Sequence, residues 1–145
     1  MRIAAVFLRQ GVLYLHPESQ TTEGAWIAAP PFLRFDWDDL DTSKKLNEAV
    51  PEVLAESRQG VPHPTDWNVG HPLYRLAGVK SWRKFVAEGC KSMRIEGRDE
   101  GVYVIPQENR GAKGGFVDCA EPILCSEAES SDWRMLLAKA FRLCK

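Results

Sequence analysis

The chain opens with a nearly unbroken apolar run, Arg2 to Arg9 (RIAAVFLR), rich in residues that favour strands. Gln10-Gly11 follows, and a second apolar run spans Val12 to His16. Two short apolar runs around a two-residue turn containing Gly predict a β-hairpin. Ala25 to Ala29 predicts a third strand, stopped by Pro30-Pro31. Phe32, Phe35 and Trp37 then fall in a stretch without period.

The pattern next changes to a helical one. Asp41-Thr42 offers N-caps, and Leu46, Val50, Val53 and Leu54 share one helical face. Pro51 interrupts this face, because proline lacks a backbone donor and disfavours helix at the residue before it. The segment therefore reads either as one kinked helix or as two short ones meeting at Pro51. Residues 60–73 (GVPHPTDWNVGHPL), with three prolines and two glycines, read as a long ordered loop anchored by Trp67. Ser81 caps a short helix with Trp82, Phe85 and Val86 inward and Gly89 at its end. Met93 to Glu96 alternates apolar with charged, Asp99-Glu100-Gly101 turns, and Val102 to Ile105 returns as a strand. Phe116-Val117 and Ile123-Leu124 are short strand candidates. A last helix, capped by Ser130 or Ser131 with Asp132 in its first turn, places Trp133, Leu136, Leu137, Ala140, Phe141 and Cys144 on one face.

Strands and helices do not alternate as a doubly wound sheet requires. The expectation is a single α+β domain over residues 1–145: a mainly antiparallel sheet with about three α-helices packed on it. The length of 145 residues suits one core, and five Trp, six Phe and three Tyr exclude disorder as the main reading. The first apolar run holds only six residues between Arg2 and Arg9, shorter than the ~7–15 of an export signal. Cys90, Cys119, Cys125 and Cys144 form no CxxC pair and no secreted disulfide framework. A reduced, cytoplasmic protein is expected.

Candidate chemistry is sparse. Neither the Cys119/Cys125 nor the His63/His71 spacing matches a structural zinc site, and no cofactor motif is present, so neither metal nor cofactor is expected. No G-x-S-x-G elbow appears. His63 and His71 flank Asp66 in the Pro-rich loop, and two histidines, helped by Lys80 or Lys84, are the acid–base pair a small RNase would use. The other fate of such histidines is structural. Asn109 to Gly115 (NRGAKGG) is Gly-rich and basic, but lacks the Lys-Ser/Thr of a phosphate loop and reads as a turn that an acidic partner could touch.

Charge is more informative. The net charge of −1 hides segregation: residues 36–56 carry seven acids and two bases, 74–98 seven bases and two acids, 117–132 five acids and no base, and 133–145 four bases. Such blocks orient a protein toward a partner of opposite sign; alternatively they pair with one another as solvated salt bridges of little energetic weight. The acids Asp36, Asp38, Asp39 and Asp41 surround Trp37, and Glu48 and Glu52 follow on the predicted helix. An aromatic inside a carboxylate rim suits an interface with a basic protein, although Trp37 in the core beneath a helix cap is the alternative. Asp118, Glu121, Glu127 and Glu129 of the second acidic block form a further candidate face. The basic 74–98 block with Trp82 is what an RNA-binding accessory domain would use.

The C-terminal half also resembles a known family. Lys80-Ser81-Trp82-Arg83-Lys84-Phe85, Met93-Arg94-Ile95-Glu96, Val104-Ile105-Pro106, Gly114-Gly115-Phe116 and the helix from Ala138 to Cys144 look like the immunity proteins of bacterial contact-dependent growth inhibition systems. The resemblance covers about residues 76–144. It implies a cytoplasmic, non-enzymatic antitoxin without cofactor, metal or membrane attachment. Its partner would be the toxic C-terminal domain of a delivered effector, often a nuclease, with the antitoxin a monomer in a heterodimeric complex that touches no nucleic acid itself. A nuclease site is basic because it must hold phosphate, so the acidic blocks would suit its occlusion.

Overall fold

The fold was taken from a computed structural model that describes residues 1–67, 71–87, 89–127 and 129–145. Strand β1 (Arg2–Arg9) and strand β2 (Val12–Thr21) form the hairpin expected at the N-terminus, in a register that pairs Arg9 with Val12. Its two-residue turn needs positive φ at both positions; Gln10 has φ 50° and Gly11 φ 74°. Strands β3 (Trp26–Ala28), β4 (Leu33–Asp36) and β5 (Gln59–Val61) all pair with β2, the last in parallel. On the other side of β1 lie β6 (Lys91–Arg98) and β7 (Gly101–Asn109), antiparallel throughout. Strands β8 (Phe116–Asp118) and β9 (Ile123–Leu124) pair with different ends of β7. The result is one curled, mainly antiparallel sheet in the order β3-β2-β1-β6-β7-β8, with β4, β5 and β9 attached to its sides.

The sheet explains why the first run is apolar at every position. Alternate residues of a strand point to opposite faces, and here both faces are covered. Ala4, Val6, Leu13 and Leu15 pack on one face against helix α1 (Thr42–Ala55) and helix α5 (Trp133–Phe141) through Leu46, Val50, Val53, Leu136, Leu137 and Phe141. Ala5, Phe7 and Tyr14 pack on the other against helix α2 (Pro72–Leu76) and helix α3 (Trp82–Val86) through Leu73, Phe85 and Val86. Phe7 is the hub of this second core: its ring lies 5.4–6.0 Å from those of His16, Trp82, Phe85 and Phe116. Phe7→Ala is therefore expected to cost about 3–5 kcal/mol in urea unfolding, the usual result of emptying a buried aromatic site.

Several local expectations need correction. The helices number five among the described residues rather than about three, of which only α1 and α5 reach seven residues. Two short ones, α2 and α4 (Gly111–Gly114), fall where a loop and a turn were expected. For α2 the reason is visible: Pro72 takes a first-turn position, and the His71 side chain caps it by accepting from Leu73 N–H at 3.2 Å. Helix α1 is continuous through Pro51, whose ring lies on the exposed side. Trp67 anchors nothing in the core, being 60% exposed, and residues 68–70 of the expected loop lie outside the described residues. The stretch containing Phe35 is strand β4, with half-buried apolar and exposed polar residues alternating. Helix α5 is capped by the Asp132 carboxylate, which accepts from Met135 N–H at 3.1 Å, not by Ser130 or Ser131, and it ends at Phe141.

Candidate protein-interaction site

The loop from β4 to α1 builds the first acidic face. Asp36 Oδ1 accepts from Asp38 N–H at 3.1 Å, and Asp39 Oδ1 accepts from Asp41 N–H at 2.9 Å, so two aspartates three positions apart fold the backbone locally. Asp41 occupies the N-cap position of α1 without a side-chain cap bond, and the Thr42 hydroxyl donates to Asp36 C=O. Trp37 is the strut beneath. Its N–H donates to Gly11 C=O at 2.9 Å, its ring meets Phe141 edge-on at 5.6 Å, and the Arg134 guanidinium sits 3.5 Å above it. Arg134 Nε also donates to Trp37 C=O at 3.2 Å. Trp37 is thus held half-buried, and the apolar residue the loop offers outward is Leu40, 98% exposed. Sequence reasoning missed Leu40 because one leucine among aspartates has no period; only the burial of Trp37 reveals which of the two points out.

Asp36, Asp38, Asp39 and Asp41 are exposed, and none makes an ion pair among the described residues. Glu48 and Glu52 lie on the exposed side of α1, one turn apart, without an ion pair there either. Glu52 borders a shallow groove of about 510 Å³ with Pro31, Leu33 and Val53.

The second acidic block is placed differently. Asp118 receives both ends of the Arg94 guanidinium, at 2.8 and 2.9 Å, and Gln107 Nε2 at 3.2 Å. These bonds from Arg94 hold its carboxyl below the usual range against a smaller opposing effect of burial. Arg94 also bonds the buried Glu96 at 2.8 Å, which Arg98 reaches at 2.6 Å from the other side. Burial works to raise the Glu96 carboxyl, and the two arginines outweigh it, leaving it lowered. Part of the basic 74–98 block is therefore neutralised by Glu96 and Asp118 inside the fold. Glu129 accepts from Ser126 N–H at 3.2 Å and lies 3.9 Å from Lys139. Glu121 and Glu127 are exposed on the chain leading to it. The four aspartates at 36–41 are the densest group of carboxylates without an ion pair among the described residues.

The histidines are not arranged as an acid–base pair. His71 stacks on Trp82 at 4.3 Å, with His16 5.2 Å away, whereas His63 meets Trp67 at 5.3 Å, bonds the Thr21 hydroxyl at 2.9 Å and lies 3.1 Å from Glu23. Burial pushes both His16 and His71 down to about 4, and His16 adds to the effect on His71. Trp82 stacks between His71 and Phe85, so its faces are taken by rings rather than open to bases. Burial raises the Cys90 thiol to about 12 and that of Cys125 to about 11, and it raises Cys144 as well. All four cysteines are free, and a thiol held protonated, as burial holds Cys90, Cys125 and Cys144, is a poor nucleophile or ligand. Among the described residues no three His, Cys, Asp or Glu side chains gather as a metal would need, and no helix is long and apolar enough to cross a membrane.

No protein-family model matches the sequence, and no curated protein matches it. The fold does match solved structures. A chain of the CdiA-CT/CdiI toxin and immunity complex from Yersinia pseudotuberculosis superposes with a TM-score of 0.72 at 16% identity, covering 99% of this chain and 97% of that one. A protein of unknown function from Neisseria meningitidis superposes with a TM-score of 0.73, also at 16% identity, covering 99% and 95%. The resemblance noted in the C-terminal half thus extends, as fold, over the whole length.

Proposed function

We propose that this chain is a toxin-neutralising protein: it binds the toxic C-terminal domain of a contact-dependent growth inhibition effector and makes or breaks no covalent bond. The observation that carries this reading is the end-to-end fold match to a chain of a toxin and immunity complex. The acidic loop supports a finer version, in which the toxin is a nuclease and Asp36, Asp38, Asp39 and Asp41 meet its basic, phosphate-holding site in the cytoplasm. Carboxylates there stand in for the phosphate charges of the substrate. Trp37 holds the loop in shape rather than entering the partner. Glu48 and Glu52 extend the same acidic surface along α1, and Glu121, Glu127 and Glu129 are the second face to test. Asp118 contributes less, because Arg94 already neutralises it.

Isothermal titration with the C-terminal toxin domain of a candidate effector tests the reading: a one-to-one complex in the nanomolar range is expected with the cognate domain, and no heat of binding with any candidate contradicts it. An RNase reading built on His63 and His71 predicts turnover that His63→Ala abolishes. The separate surroundings of the two rings lead us to expect that purified protein leaves RNA intact, before and after that substitution.

A further inference from the structure

The sheet register brings two oppositely charged features to one rim of the molecule. Strand β1 ends at its turn, and Leu8 pairs with Lys91 at the start of β6. Because β7 runs antiparallel to β6, Asn109 at its end and helix α4 beyond it return to this same rim. The acidic loop is there too, tied to Gly11 by Trp37 N–H.

Beside α4 lies a cleft of about 370 Å³ lined by Arg83, Val86, Ala87, Arg110, Gly111, Ala112 and Lys113. Three cations rim an apolar floor, and its lining holds no carboxylate among the described residues. Asn109 fixes its shape: the Asn109 amide donates to Val86 C=O at 2.6 Å and Cys90 C=O at 2.9 Å, while its oxygen accepts from Gly111 N–H at 2.8 Å. Arg110 is partly engaged by Glu108 at 3.3 Å, whereas Arg83 and Lys113 make no ion pair among the described residues.

A cleft of this kind takes an acidic segment with one apolar anchor. The acidic loop of the same chain has that chemistry, since Leu40 is 98% exposed between Asp38, Asp39 and Asp41. The two cannot meet within one molecule. Loop and cleft are separated by the three strand spacings from β2 to β7, about 14 Å at ~4.8 Å each, and they lead into helices on opposite faces of the sheet. A second copy removes this obstacle. A two-fold axis lying in the rim, perpendicular to the line from loop to cleft, sets each loop against the other copy's cleft. Such an isologous contact is made twice and closes on itself.

We infer that the cleft between α3 and α4 receives the Leu40 loop of a second copy, forming a weak symmetric dimer that hides the acidic face until a tighter partner displaces it. The dimer does not depend on the toxin reading, because it concerns the chain alone; only its displacement rests on that reading. Sedimentation equilibrium of the purified chain tests it without any toxin. At low salt the mean mass is expected to rise twofold across the micromolar range, and to return to that of one chain at 0.5 M salt. Asp39→Lys or Lys113→Glu alone should weaken the association at least tenfold, and Leu40→Ser likewise. Asp39→Lys combined with Lys113→Glu in one chain should restore it. Both positions are exposed, so circular dichroism is expected to be unchanged. A mass independent of concentration, a mass climbing past two chains, or failure of the double reversal to restore association would each overturn the inference.

Discussion

Asp38→Lys with Asp39→Lys is expected to slow association with the toxin domain by about 10–100-fold at low ionic strength, with the difference shrinking as salt is added. Four carboxylates concentrated on one short loop dominate the local field, and none of them makes an ion pair among the described residues. Rim charges act mainly on encounter rates, so the dissociation rate should change less. Stopped-flow mixing at two salt concentrations separates the two. Thermal stability should fall by about 1 kcal/mol at most, the weight of the one Asx-turn bond that Asp39 gives up while that of Asp36 stays. An unchanged association rate would move the contact to another face, with Glu121 and Glu127 next.

Acidification is expected to destabilise the fold before ordinary carboxylates titrate. His16 is fully buried between Phe7, Phe32 and His71, and its Nδ1–H donates to Pro17 C=O at 2.8 Å, leaving Nε2 buried without a partner among the described residues. Burial lowers its pKa from 6.5 to about 4. The unfolded chain therefore takes up this proton first. Stability is full above pH 6.5, falls as pH drops toward 4, and levels off below. For His16 the loss over that window is ~3 kcal/mol. His71, lowered mainly by burial and further by the His16 ring 5.2 Å away, titrates over the same range and adds to it. Glu96 and Asp118, held low by arginines, lose their contribution only below about pH 4.5. The raised carboxyl of Glu18, caused by burial against the pull of Arg94, works in the opposite direction. Urea midpoints between pH 7 and 4.5 should fall steeply for the native chain and less steeply for His16→Phe. Equal slopes would show that His16 is not the group responsible.

The regular part of the fold was legible where the period was clean. The first hairpin followed from two apolar runs around Gln10-Gly11, and the last helix from a single stripe of large side chains. Elements whose reason is tertiary were not legible. Strand β4 exists because Leu33 to Asp36 pair with Val12 to Leu15, and α4 because Gly115 N–H bonds Gly111 C=O within a turn clamped by Asn109. The site was half legible. Counting carboxylates located the acidic loop, but the direction of Trp37 was decided by Arg134 and Phe141, more than 90 residues away in sequence. Likewise, no count of charges reveals that Arg94 spends itself on Glu96 and Asp118, while Arg83 and Lys113 make no ion pair among the described residues.

The most direct test is a titration of the toxin domain's activity with the purified chain. Complete inhibition at one equivalent, lost when the acidic loop is reversed, is the result expected here. Undiminished toxin activity at a large excess of the folded chain would contradict a neutralising role altogether.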